Sequence, residues 1–245
     1  MLRKFLFTAI VAMVATSAAA RPTDLVEPKL HIAGPKGSGA RVALTFDACM
    51  GKTDMRILKL LVEERIPATL FVTARWLRHN PGTFDILRAH PDLFEIENHG
   101  ESHIPAVDHP VAIYGIQAAG SPQAVTREVA GGAAAIEVAV GAHPKWFRGA
   151  TALYSPSSIA AIRGMGYRIA GFSVNGDGGA MLGARAAERR IAAARDGDVV
   201  IAHINQPTRA AGDGVVNGIR ALKAKGVTFV RLADVVEQGS DGSAD

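Results

Sequence analysis

The chain has a single cysteine, Cys49, so no intramolecular disulfide can form. It also lacks basic runs longer than a dipeptide. The formal charge is +4, and Arg3 and Lys4 supply two of those charges; without the first twenty residues the balance is +2. That is too weak an excess to argue for nucleic acid as a partner. After the N-terminus there is no uninterrupted apolar stretch long enough to cross a bilayer, so no stable membrane anchor is expected. The composition excludes a disordered or fibrous chain: 48% of residues are hydrophobic and 20% charged, enough for one large core.

The N-terminus carries a different signal. Arg3 and Lys4 precede the apolar stretch Phe5 to Val14, and Ala18-Ala19-Ala20 forms a small-residue cleavage site before Arg21. This pattern predicts a secretory signal peptide over residues 1–20 and a periplasmic or secreted protein. Residues 21–40 are rich in proline, glycine and polar side chains and read as an irregular lead-in. Residues 41–237 read as one domain, and 238–245 as a disordered tail. Nothing in the sequence sets the oligomeric state.

Within the domain, β-prone and helical segments alternate. "RVALTFD", "ATLFVT", "LFEIEN", "KWFRGA", "YRIAGFSV", "DVVIAHI" and "VTFV" read as strands. In the segment from Thr53 to Arg65, Met55, Ile57, Leu58, Leu61 and Val62 recur at helical spacing. Ser121 suits an N-cap with Pro122 in the first turn of a long helix, whose middle is weakened by Gly131 and Gly132. A final short helix is expected after "VTFV". About seven βα units result, and their strands are continuous apolar runs, as strands buried on both faces should be. The expected class is α/β with parallel strands; barrel and open sheet stay open at this point. In either, ligands gather at the carboxyl ends of the strands.

Those ends carry the ionisable residues. "VALTFD" ends in Asp47, "LFEIEN" runs into His99, "KWFRGA" contains Arg148, "IAGFSVNGD" leads to Asp177, and "DVVIAH" ends in His203. His99 and His103 stand four residues apart. If a helical turn follows the strand, they share a face and can chelate a borderline divalent metal such as zinc. Pro105 limits any helix there, which would put the ligands on a tight turn. "NGDGG" is not a phosphate loop, because no lysine follows in the required spacing.

Asp47 in "LTFD", His99 and His103 in "NHGESHIP", Arg148 in "WFRGA", Asp177 in "NGDGG" and His203 in "VVIAH" occur in an order that resembles the polysaccharide deacetylase family, the NodB-homology domain of carbohydrate esterase family 4. The resemblance spans roughly Arg41 to Asp234. It implies a distorted (β/α) barrel and a metal-dependent hydrolase that removes acetyl groups from an N-acetylated glycan, acting on amide bonds other than peptide bonds. By the family's motifs, Asp47 would be the general base and His203 the general acid. His99 and His103 would be metal ligands, with zinc the expected ion and cobalt an alternative. Arg148 and Asp177 would form a supporting ion pair around base and acid. A backbone N–H after Arg148 would help hold the oxyanion.

The pattern is broken at one place. The family has a second aspartate directly after the first, as a metal ligand, and here that residue is Ala48. Three readings stay open: Asp47 or water completes the shell, Cys49 or Asp54 substitutes, or no catalytic metal binds. For Cys49 the default is a small buried residue; for Asp54 it is a carboxylate at a helix N-terminus. The functional alternatives are a glycan-binding paralogue without turnover and a hydrolase of a non-sugar amide. Trp76, Phe84 and Tyr114 read as packing residues and Trp146 as either packing or sugar contact. His79, His109 and His143 read as surface residues. Glu101 reads as exposed, and Asn205 as a residue near the ligand.

Overall fold

A computed structural model describes residues 24–33 and 39–240. The predicted signal peptide and the last five residues lie outside them. In chain order the elements are β1 (Lys29–Ala33), β2 (Arg41–Ala48), α1 (Met55–Glu63), β3 (Ala68–Val72), α2 (Ala74–His79), α3 (Pro81–Ala89), β4 (Phe94–Asn98), β5 (Ala112–Ile113), β6 (Ile116–Gln117) and α4 (Pro122–Val140). There follow β7 (Trp146–Phe147), α5 (Pro156–Gly164), β8 (Arg168–Ile169), β9 (Val174–Asn175), α6 (Ala184–Ala192), β10 (Val199–His203), α7 (Ala211–Ala224), β11 (Thr228–Val230) and β12 (Val236–Ser240).

One parallel sheet runs β8-β7-β4-β3-β2-β10-β9, with β11 pairing the first residues of β2. The sheet curls into a distorted (β/α) barrel. Among the described residues, no helix is long and apolar enough to cross a membrane.

Strand β2 shows how the layers are divided. Side chains alternate along a strand. Val42, Leu44, Phe46 and Ala48 point outward into the main core, with Leu58, Leu61, Trp76 and Val215 from the surrounding helices. Ala43 belongs instead to the inner cluster with Phe71, Trp146, Val199 and Leu232. Asp47 shares that inner parity, and so does Cys49.

Two segments differ from the sequence reading. Lys29–Ala33, inside the expected irregular lead-in, is a strand, and Val236–Ser240 is another, where a helix and then a disordered tail were expected. They pair antiparallel, Lys29 with Ser240 through Ala33 with Val236. Each is short, and its partner lies at the other end of the chain, so no local turn signal announces the pairing. The expected terminal helix is a single 3-10 turn, Leu232–Asp234.

Local signals elsewhere act as expected. Asp54 caps α1 by accepting from the Arg56 N–H at 3.1 Å. Its carboxylate also takes two guanidinium N–H groups of Arg56, at 2.9 and 2.6 Å. Asp54 is therefore a capping residue engaged with Arg56. Ser121 caps α4 with Pro122 as its first residue.

Candidate active site

The loop after β4 carries both histidines. It is irregular, where sequence spacing suggested a helical turn. Gly100 has φ +89° and His103 has φ +65°, a left-handed conformation that side chains rarely adopt. The loop is held from below by α4. The Glu128 carboxylate accepts from the N–H groups of Ser102 at 2.9 Å and Ile104 at 3.1 Å. Asn98 donates to the Val129 carbonyl at 2.9 Å and accepts from the Gly100 N–H at 2.8 Å.

Gly131 and Gly132 explain why a helix can sit so close. A Cβ on Gly132 would lie 2.2 Å from Asn98 Oδ1 and 2.6 Å from the Gly100 carbonyl carbon. One on Gly131 would meet the Glu101 carboxylate at 2.4 Å. These glycines weaken α4 as a helix, and their function is to admit the histidine loop. In the sequence these glycines signal only a weakened helix, and nothing marks Glu128.

His99 is buried, and its ring has one orientation. Its Nδ1 lies 2.6 Å from the Arg148 carbonyl, which leaves Nε2 facing the interior. There Nε2 is 3.4 Å from Cys49 Sγ and 3.8 Å from Asp47 Oδ2. The His99 and His103 ring centroids are 5.1 Å apart. His103 Nδ1 is buried with no hydrogen-bond partner. Donor atoms of Cys49, His99 and His103 all lie within 4.8 Å of one another. Two imidazoles and a sulfur converging this way, one of them with an orphaned nitrogen, are a donor set that fits a borderline metal ion.

Two charge pairs flank this cluster. Arg148 Nη1 donates to Asp47 Oδ1 at 2.9 Å. Nε and Nη2 donate to the carbonyls of Ala170 at 3.1 Å and Gly171 at 3.0 Å, and the guanidinium stacks 4.2 Å from the Phe71 ring centroid. On the other side, Asp177 Oδ2 accepts from the His203 backbone N–H at 2.6 Å, and Oδ1 lies 3.0 Å from His203 Nδ1. Arg148 and Asp177 thus do not pair with each other, as the resemblance implied. Each has its own partner, Arg148 the Asp47 carboxylate and Asp177 the His203 imidazole.

These environments set the protonation states. Burial works against charge on Asp47, but His99, Arg148 and His203 outweigh it and hold its carboxyl below the usual range. Burial likewise disfavours a charged His203, yet Asp177, aided by Cys49, raises the imidazole well above its ordinary value. Cys49 is buried too, and the three histidines around it bring its thiol well below the ordinary value.

The remaining predicted residues divide clearly. The Gly149 N–H donates to the Tyr154 hydroxyl at 2.6 Å, so the first amide after Arg148 is already engaged and is not free for an oxyanion. Asn205 is buried; its Nδ2 donates to the Met50 carbonyl, and its Oδ1 is without a partner. It braces the loop after Cys49. Trp76, Phe84 and Trp146 are buried, so Trp146 is a packing residue, while Tyr114 is exposed. Glu101, His79 and His143 are exposed and His109 half-buried.

The sequence matches the polysaccharide deacetylase family over residues 34–170. A comparison with curated proteins gives no match. Among solved structures, the chain is similar to a family 4 acetyl xylan esterase from Clostridium thermocellum in complex with a cobalt ion (26% identity, TM-score 0.63, 79% of this chain and 89% of that one). It is similar in fold to a mutant of the peptidoglycan deacetylase PdaC from Bacillus subtilis (21% identity, TM-score 0.62, covering 80% and 90%). It is also similar in fold to BA3943, a CE4 family pseudoenzyme from Bacillus anthracis (18% identity, TM-score 0.64, covering 81% and 66%). With a match over more than half of its length, the chain belongs to the polysaccharide deacetylase family, the NodB-homology group of carbohydrate esterase family 4.

Proposed function

We propose that this protein is an exported, metal-dependent amidohydrolase that removes N-acetyl groups from a polysaccharide or peptidoglycan-type glycan. The observation that carries the reading is the pair of buried charge contacts, Arg148 with Asp47 and Asp177 with His203, on either side of the His99/His103 cluster.

His99 and His103 would hold the metal. When bound, a zinc-class ion supplies Lewis acidity toward the acetamide carbonyl and lowers the pKa of water. The protein's own groups do the proton work. Asp47, kept ionised by Arg148, takes a proton from the attacking water. The hydroxyl oxygen bonds to the carbonyl carbon. His203, kept protonated by Asp177, gives its proton to the sugar nitrogen as the C–N bond breaks. Acetic acid and a free amine leave and exchange a proton in solution to give acetate and the ammonium, and the proton gained by Asp47 returns to His203, which restores both groups. Arg148 cannot swing away, because its other donors are held by two carbonyls and its face by Phe71.

The test is acetate release from N-acetylglucosamine oligomers and from peptidoglycan by zinc- or cobalt-loaded protein, with Asp47→Asn as control. Release that disappears in the variant supports the reading, and none with any glycan rejects it. The missing carboxylate at Ala48 favours a second reading, a glycan-binding protein without turnover. Glycan binding unchanged by Asp47→Asn and by chelation, with no acetate, would select it. Release from a small non-sugar amide alone would select the third.

A further inference from the structure

We propose that Cys49 is the third protein ligand of this site, as a thiolate, and that it makes the site selective for zinc-class cations over oxygen-preferring ones such as magnesium. The inference rests on the reading of the His99/His103 cluster as a metal centre and adds to it the ligand and the class of ion.

Strand parity is the first argument. Ala48 lies in the outer core with Val42, Leu44 and Phe46, so its side chain faces the helices. Position 49 returns to the inner face that carries Asp47. A donor at 49 therefore reaches the interior without any change in the path of the strand.

Geometry is the second. Ligands on a tetrahedral zinc, with Zn–S of about 2.3 Å and Zn–N of about 2.0 Å, stand about 3.5 Å apart. Cys49 Sγ and His99 Nε2 are 3.4 Å apart. The His99 ring is fixed by its contact with the Arg148 carbonyl, an arrangement that holds an imidazole ready to ligate through the other nitrogen. His103 brings a ring nitrogen within 4.8 Å of both, and its Nδ1 is buried with no hydrogen-bond partner.

The backbone of Cys49 is held as firmly as its partners. Its carbonyl accepts from Thr73 Oγ1 at 2.5 Å, and the next carbonyl, that of Met50, accepts from Asn205. Gly51 then turns with φ +92°, where a Cβ would lie 2.9 Å from the Asn205 carbonyl oxygen. A thiol that merely filled space would need neither these anchors nor imidazoles around it. Three protein donors leave a fourth position open, the arrangement of catalytic zinc sites. Thiolate favours zinc, and magnesium favours oxygen.

The test uses the whole protein, stripped by a chelator and titrated with cobalt(II) and then zinc. Wild type should develop an intense near-ultraviolet thiolate-to-cobalt charge-transfer band that saturates at one equivalent. Cys49→Ser, checked for fold by circular dichroism, should lose that band and bind zinc at least about 100-fold more weakly. Cys49→Asp should bind without the band and narrow the preference for zinc over magnesium. The proposal is overturned if wild type binds cobalt without the band, if Cys49→Ser matches wild type in spectrum and zinc affinity, or if no cobalt binds. A band in wild type with no acetate released from any glycan supports the ligand assignment and rejects only the deacetylase reading.

Discussion

Two carboxylates, Asp47 in β2 and Glu97 in β4, lie in one register row of the curled sheet with Phe71 between them, and their surroundings push them in opposite directions. Asp47, at the end of β2, faces the Arg148 guanidinium and two imidazoles and stays ionised. Glu97, in β4, is also buried. Its Oε2 accepts from the backbone N–H groups of Lys145 at 2.8 Å and Trp146 at 2.7 Å. Burial, together with the nearby Glu95, pushes its pKa up to about 8 despite those donors. Nearby lies a cleft of about 560 Å³ lined by Lys145, Trp146, Arg168 and Ala233, which shares no residue with the site. The lesson is that burial beside another carboxyl group neutralises a carboxylate, whereas a buried carboxylate stays charged where cations are built around it.

The largest effect is expected from breaking the Arg148–Asp47 pair. Arg148→Met leaves Asp47 buried without its main partner and should cost about 3–5 kcal/mol of stability, measured by denaturant unfolding. Asp47→Asn in the same background should recover part of that loss. Next comes Asp177→Asn, which keeps the shape but removes the charge that holds a proton on His203. Under the proposed function kcat/KM should fall about 10²–10⁴-fold. Because Asp177 raises the His203 pKa, the alkaline limb of the pH–rate profile should move to lower pH.

A smaller effect concerns the histidine loop that follows β4 and rests on α4. Gly132→Ala should cost about 1–3 kcal/mol through overpacking and weaken cobalt binding. Gly164→Ala, at the end of α5 where a Cβ meets nothing within 4 Å, should be neutral or slightly stabilising. Glu97→Gln is a mild change too, because it keeps a carbonyl to accept both N–H groups. With a folded pKa above the usual 4.5, Glu97 contributes most below that value. It then loses its contribution as the pH rises toward about 8. Wild-type melting temperature should therefore fall over that window, and the variant's should fall less.

The same contrast explains what the sequence made legible. Alternating apolar runs and helical spacing reveal the βα order, and ionisable residues at strand ends reveal the rim, because both are local patterns. Asp54 was readable as a helix cap for the same reason. What escaped depends on contacts across the chain. Glu128 reaches the histidine loop from a helix that follows it, and Gly131 and Gly132 look like flaws until the loop is seen against them. The partners of Arg148 and Asp177 depend on which strand ends face each other, and β7 at Trp146–Phe147 is too short to show it. Cys49, a candidate ligand with burial as its default, is buried beside His99. Period-two alternation from Asp47 gives its side, but the closeness of His99 and His103 depends on a loop fifty residues away.

Helix α4 contributes no candidate ligand, base or acid, yet it fixes where two imidazoles stand. Its side-chain-free stripe at Gly131 and Gly132 is the negative mould of the loop, and Glu128 is the peg that locates it. The reach between His99 and His103 is therefore dictated by a surface that no chemical assay of the centre would reveal. A graft of the strand-end residues onto another barrel without this helix would carry the donors but not their spacing.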